Sequence, residues 1–164
     1  MPPVIRPATR ADVPAILEIY NSAVLHTTAS YDLAPVSLES RYEWYDHRAA
    51  GGWPVLVAEE GGQVVGFSTF GPFREKAGYA ATVEHSVYVR EGLRGGGIGL
   101  ALMHPLIAEA KRMGLHVMVG GIDAENAGSI AFHERLGFQQ VAHMKQVGRK
   151  FDRWLDLVFM QLTL

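Results

Sequence analysis

The chain has 164 residues, 48% hydrophobic and 20% charged, and its 15 Lys and Arg against 17 Asp and Glu leave a net charge of -2. That length fits one domain over residues 1–164, large enough to bury close to ~70% of its unfolded surface without a staple. The lack of cysteine excludes disulfides, thiolate nucleophiles and thiolate metal sites, the near-neutral charge offers nucleic acid no basic footprint, and no apolar run approaches the ~18 residues of a membrane span.

Residues 4–6, VIR, read as a short strand. Thr9 or Asp12 can cap a first helix whose apolar positions Val13, Ile16, Leu17, Tyr20 and Val24 fall at helical spacing, with Pro14 in its first turn. Ser37 can cap a second, aromatic helix carrying Tyr42, Trp44 and Tyr45, which ends at Gly51 and Gly52. WPVLVAEEGGQVVGFSTF then reads as two strands joined by a tight turn from Glu60 to Gln63. A loop with Gly71, Pro72 and Gly78 leads to TVEHSVYV, residues 82–89, a strand whose period of two puts Glu84, Ser86 and Tyr88 on one face. Val83, His85, Val87 and Val89 take the other, unless a bulge intervenes.

A helix from about Gly97 to Met113 follows, and Pro105, which deletes one backbone hydrogen bond, predicts a kink in it. LHVMVGGI is a buried strand by composition, and NAGSIAFHERLGF is a helix capped by Asn126 and ended by Gly137. Two strands near residues 140–147 and 155–162 close the chain. The order β, α, α, β, β, β, α, β, α, β, β, with no repeat or linker, predicts a mixed α/β (α+β) architecture with a partly parallel sheet.

The stretch LRGGGIGL, residues 93–100, sits between a strand and a helix. Such a turn presents unpaired N–H groups at the positive end of a helix dipole, and glycines allow a phosphate close to the backbone; a flexible surface turn is the plainer reading. A P-loop would need Gly-Lys-Ser or Gly-Lys-Thr, whereas Gly99 precedes Leu100 and Ala101. A dinucleotide-dependent oxidoreductase is disfavoured because the third glycine of G-x-G-x-x-G is missing.

Arg94-Gly95-Gly96-Gly97-Ile98-Gly99 resembles the R/Q-x-x-G-x-G/A pyrophosphate loop of the GCN5-related N-acetyltransferase (GNAT) superfamily, and NAGSIAFHERLGF resembles that superfamily's later N-x-x-S-x-x-x-[YH]-x-x-x-G-F segment. IRPATRADVPAILEIYN, FGPFR, TVEHSVYV, SIAFHERLGF and GRKFDRWLDLVFMQL narrow the likeness to the phosphinothricin and methionine sulfone or sulfoximine N-acetyltransferases; FREKAG departs from them after its arginine. The resemblance implies the GNAT acyl-CoA N-acyltransferase fold, a mixed sheet of about seven strands flanked by about four helices, acetyl-CoA as cofactor, and a homodimer. It implies acetyl transfer to a small amino acid or analogue by direct attack. An aminoglycoside, a polyamine, a protein N-terminus or a non-catalytic CoA-binding module remain alternatives.

Acetyl transfer needs a neutral amine, a donor at the carbonyl oxygen and a proton for the thiolate. Glu84 is the candidate base, against a solvated edge-strand glutamate. His133, one turn beyond Ser129, is the candidate acid, against a structural histidine. Val87, Tyr88 and Val89 would carry the pantetheine arm and the oxyanion donor, Arg94, Gly95, Gly96, Gly97, Ile98, Gly99 and Leu100 the pyrophosphate, with Asn126 and Ser129 on the same cofactor. Arg74 would bind a substrate carboxylate beside Phe73, Glu84 and His85. Lys150 and Trp154 would complete a pocket or a dimer contact, and Tyr31 and Trp44 are candidate walls. The seven histidines show no paired metal-ligand spacing, so no metal is expected. MPPVIRPATRADVP lacks the basic flank and apolar core of a signal, so a cytoplasmic protein with no membrane or nucleic-acid partner is expected.

Overall fold

The computed structural model describes residues 2–164. Strand β1 spans Val4–Pro7, helix α1 Val13–His26, α2 Leu38–Ala50, β2 Val55–Glu60, β3 Gln63–Pro72 and β4 Thr82–Val89. Helix α3 spans Ile98–Arg112, β5 Val117–Asp123, α4 Ala127–Arg135, β6 Gln139–Lys150 and β7 Arg153–Thr163. The seven strands form one sheet in the order β1-β2-β3-β4-β5-β7-β6. Every neighbouring pair is antiparallel except β4 and β5. This is the mixed sheet with four helices that the sequence predicts.

Local chemistry explains most boundaries. Gly61 and Gly62 both hold positive φ, of 59° and 78°, which a two-residue hairpin requires between β2 and β3. Ser37 accepts the Ser40 N–H at 3.0 Å and so starts α2. Asp12 takes another part: a single helical turn at Arg10–Asp12 precedes α1, and the Asp12 carboxylate accepts the Thr9 N–H at 2.7 Å and the Arg6 guanidinium at 2.8 Å. Helix α3 continues through Pro105, and the buried Ser68 hydroxyl donates to the Leu102 carbonyl at 3.2 Å in the turn that the proline disturbs. Strands β6 and β7 run longer than predicted because their turn, Phe151 and Asp152, holds positive φ without a glycine to announce it.

The sheet is covered on both faces. Ile16, Ile19, Val55, Val57 and Phe67 pack between the sheet and α1, joined by Trp44 and Tyr45 from α2. Phe70, Met103, Leu106, Met118 and Met160 fill the side beneath α3 and α4. At about 25 cal/mol per Å² of apolar surface, these two layers supply the main stabilisation of the fold. Among the described residues no helix is long and apolar enough to cross a membrane.

The seam between β4 and β5 positions everything that follows. Their pairing is confined to Thr82 with Val117, Val83 with Met118, and Glu84 with Val119. Beyond that point β4 continues against β3 and β5 against β7, so the two strands part into a notch.

Candidate active site

A cleft of about 300 Å³ lies at the notch, lined by Glu84 to Tyr88 of β4, Gly120 to Asp123 of β5, Asn126, Ser129 and His133 of the α4 segment, and Thr28 to Tyr31 from the loop after α1. Glu84 is the last β4 residue paired to β5, so its carboxylate stands where the strands part. Burial pushes its pKa up, and the positive charge of Arg74 partly counters that rise. Gly121 is its neighbour across the notch: a Cβ there would lie 3.5 Å from Glu84 Oε2 and 3.7 Å from the Phe159 ring.

His85 points to the opposite face of β4. It is 6% exposed, its Nδ1 lies 3.1 Å from the Val119 carbonyl, and its Nε2 lies 3.0 Å from Nε2 of His133. His133, 3% exposed, completes the chain with Nδ1 at 2.7 Å from the Ser129 carbonyl. Burial, then the neighbouring His133, pushes His85 down to about 3, and burial lowers His133 as well. Both rings line the cleft, yet all four of their nitrogens face protein partners. His133 can therefore reach a thiolate only by releasing His85, and while the pair holds, each His85 nitrogen faces a protein partner.

The glycine loop meets the start of α3. Gly95 and Gly97 hold φ of 83° and 84°, and a Cβ on either would meet nothing within 4 Å, so the space before the helix is open. The helix's own bonding begins with the Ala101 N–H on the Gly97 carbonyl, which leaves the preceding N–H groups free to receive an anion. Gly99 serves packing as well, since a Cβ there would press to 3.0 Å from the Phe132 ring of α4. Arg94 and Asn126 line a second cleft of about 450 Å³, which shares Thr28, Ala29, Asp123 and Asn126 with the first. Val89 and Arg94 also line a smaller hollow against α1. The residues thus fit a ligand with a diphosphate at the loop and an arm running to the notch. Asn126 caps α4 by accepting the Ser129 N–H at 3.0 Å.

Most of the other expected residues lie outside the cleft lining. Phe73 and Arg74 line a separate hollow with Tyr79, where the Arg74 guanidinium stands 5.0 Å over the Phe73 ring and Phe73 meets Phe159 edge-on at 6.3 Å. Lys150 is only 4% exposed and donates to the Ser30 carbonyl at 2.7 Å, so it fastens the loop that lines the cleft and lies outside the lining itself. Trp154 is exposed on β7, and Trp44 packs edge-on against Phe67 in the core. Tyr31 does line the cleft and donates to the Asp156 carbonyl at 3.2 Å. Sequence reasoning missed Thr28 to Ser30, Asp123, Gly120 and Gly121; the paired glycines inside a strand were the available signal of close approach.

A three-layer fold with a parted parallel seam and an anion-ready turn defines an acyl-transfer scaffold. The acetyltransferase (GNAT) family model matches residues 14–138, and the chain belongs to that family. It is 52% identical over 161 residues to the L-methionine sulfoximine/L-methionine sulfone acetyltransferase of Pseudomonas aeruginosa, covering 98% of this chain and 94% of that one. A Salmonella typhimurium protein solved with its cofactor acetyl-CoA superposes with a TM-score of 0.96 at 52% identity, over 100% of this chain and 95% of the other. The ribosomal-protein-alanine N-acetyltransferase of Brucella melitensis does so with a TM-score of 0.96 at 52% identity, over 98% and 99%.

Proposed function

We propose that the chain, working as one domain over residues 1–164, transfers an acetyl group from acetyl-CoA to the amine of a small amino acid or analogue of the methionine sulfone, methionine sulfoximine or phosphinothricin type. The observation that carries this reading is the half-buried Glu84 carboxylate at the parting of β4 and β5, with its pKa raised by burial. Acetyl-CoA supplies a thioester carbon open to attack. Glu84 takes the proton that the amine nitrogen sheds as its bond to that carbon forms, directly or through one water. The sulfur leaves with the electrons of the broken C–S bond and takes its proton from solvent, because His133 is engaged on both sides. A β4 backbone N–H near Val87 to Val89, beyond the last pair with β5, donates to the carbonyl oxygen in this reading.

On the cofactor side, Gly95 to Leu100 offer N–H groups to the diphosphate and Arg94 adds charge, while Asn126 and Ser129 border the path between the clefts. On the acceptor side, the cation of Arg74 acts on Glu84 and suits a substrate that carries a carboxylate beside its amine. A protein terminus, the kind of acceptor named for the Brucella relative, is the second reading.

Thiol release from acetyl-CoA over methionine sulfone, methionine sulfoximine, phosphinothricin and an alanine-initiated peptide tests both readings. The small amino acids are expected to be the better acceptors, and preference for the peptide reverses the order. Glu84→Gln is expected to lower kcat about 10²- to 10³-fold with the Kd for acetyl-CoA unchanged, and an unaltered rate removes Glu84 as the base.

A homodimer in the cytoplasm completes this reading. β6 is the terminal strand of the sheet, and Val141, Val147 and Trp154 stand 56%, 51% and 58% exposed beside Met144 and Phe151. Sedimentation velocity is expected to give twice the chain mass, and Trp154→Asp with Val147→Asp to give a monomer; a monomeric wild type discards the dimer.

A further inference from the structure

His85 and His133 make more contacts than two neutral rings can satisfy. Three gaps lie in a row: Val119 carbonyl to His85 Nδ1 at 3.1 Å, His85 Nε2 to His133 Nε2 at 3.0 Å, and His133 Nδ1 to the Ser129 carbonyl at 2.7 Å. Each neutral imidazole carries one proton, and a carbonyl carries none to donate. Two protons must therefore serve three gaps. If both sat on Nδ1, two lone pairs would face each other in the middle; if both sat on Nε2, two protons would collide there. Two arrangements remain, one with the protons on Nδ1 of His133 and Nε2 of His85 and one with the reverse. The arrangement with a proton in the shortest contact has His133 donating from Nδ1 to Ser129 and His85 from Nε2 to His133, and it leaves the longest gap, at Val119, without one.

The same ring sits where the β4–β5 ladder stops. The pair after Glu84 with Val119 would be His85 with Gly120, and a Cβ on Gly120 would lie 2.5 Å from His85 Cε1 and 3.4 Å from His133 Nε2. Glycine at 120 thus admits the imidazole between the strands.

We propose that His85 is a positioning residue whose ring wedges the notch open and sets the tautomer of His133, so that the two imidazoles act as one unit with two protons across three contacts. The unit ties β4 and β5 to α4, which carries Ser129 and follows Asn126. Around the rings, Phe132 and Phe138 are apolar, with ring centroids 5.2 Å from His133. The titratable groups that share the cleft are Glu84 and Tyr88 from β4, Asp123 from β5 and Tyr31 from the loop after α1. A third proton fills the empty gap at Val119 while burial opposes the charge it brings, so the unit takes up one proton in a single step in the acid range.

The consequence for turnover rests on the acetyl-transfer reading, but the ring protons do not, so the decisive readout is the ¹⁵N spectrum of the histidine side chains during a pH titration. Wild-type protein is expected to show the proton on Nδ1 of His133 and on Nε2 of His85, with both rings shifting together. In His85→Leu, Nε2 of His133 loses its donor, and that ring is expected to titrate alone at higher pH; His85→Gln, whose amide can donate to Nε2, is expected to restore most of the wild-type behaviour. Two separate wild-type titrations, like tautomers on the two rings, or an unmoved His133 in His85→Leu overturns the proposal. The wild-type spectrum decides alone if His85→Leu does not fold. Absent acetyl transfer with the expected spectrum discards the function and leaves the unit standing.

Discussion

Glu84 owes its value as a base to two opposed influences on one carboxylate. Burial favours the neutral acid and lifts the pKa above the ordinary glutamate value, and the Arg74 cation pulls it back. A base must be ionised to accept a proton, so kcat/KM is expected to fall as pH drops through the Glu84 pKa. Removing the cation leaves burial unopposed and moves that acid limb to higher pH. Arg74→Ala is therefore expected to lose more of its rate, relative to wild type, at about pH 6 than at about pH 8. A limb that stays in place in the pH profile would separate Arg74 from the base. The acceptor amine adds its own limb, near ~7.7 to 8 for an α-amino group, and that one is common to both proteins.

The loop after α1 shows how whole elements are brought to the notch by small contacts. Thr28 donates to the buried Asp123 of β5, Lys150 of β6 donates to the Ser30 carbonyl, and the Tyr31 hydroxyl reaches the Asp156 carbonyl of β7. Three strands thereby hold one connection in place. Its tightest point is Gly148, where a Cβ would fall 2.5 Å from Tyr31 Cε2. Gly148→Ala is expected to cost about 1–3 kcal/mol of stability in urea unfolding, as overpacking does, and to raise the KM for the amine by displacing Tyr31. An unchanged KM would mean that Tyr31 does not shape the acceptor side. A buried lysine thus serves the cleft without entering it, a role that sequence spacing cannot express because residues 30 and 150 are neighbours only in the folded chain.

At the level of the whole molecule, local signals carried far in the sequence and long-range ones did not. The hairpin at Gly61 and Gly62, the Ser37 and Asn126 caps and the glycine turn before α3 were legible because each is fixed by residues within a few positions of one another. Glu84 was legible as a carboxylate in an apolar strand. The meeting of His85 with His133 was not, since it joins residues 48 positions apart through a glycine on a third element. The strand pairing holds one more consequence. β1 to β4 form one antiparallel block in chain order and β5, β7 and β6 another, and among the described residues three residue pairs of a parallel ladder are their only strand-to-strand join. A coenzyme lodged along that join would act as mortar between the two halves: the reactant would also be a brace, and the fold would be firmest while it is loaded.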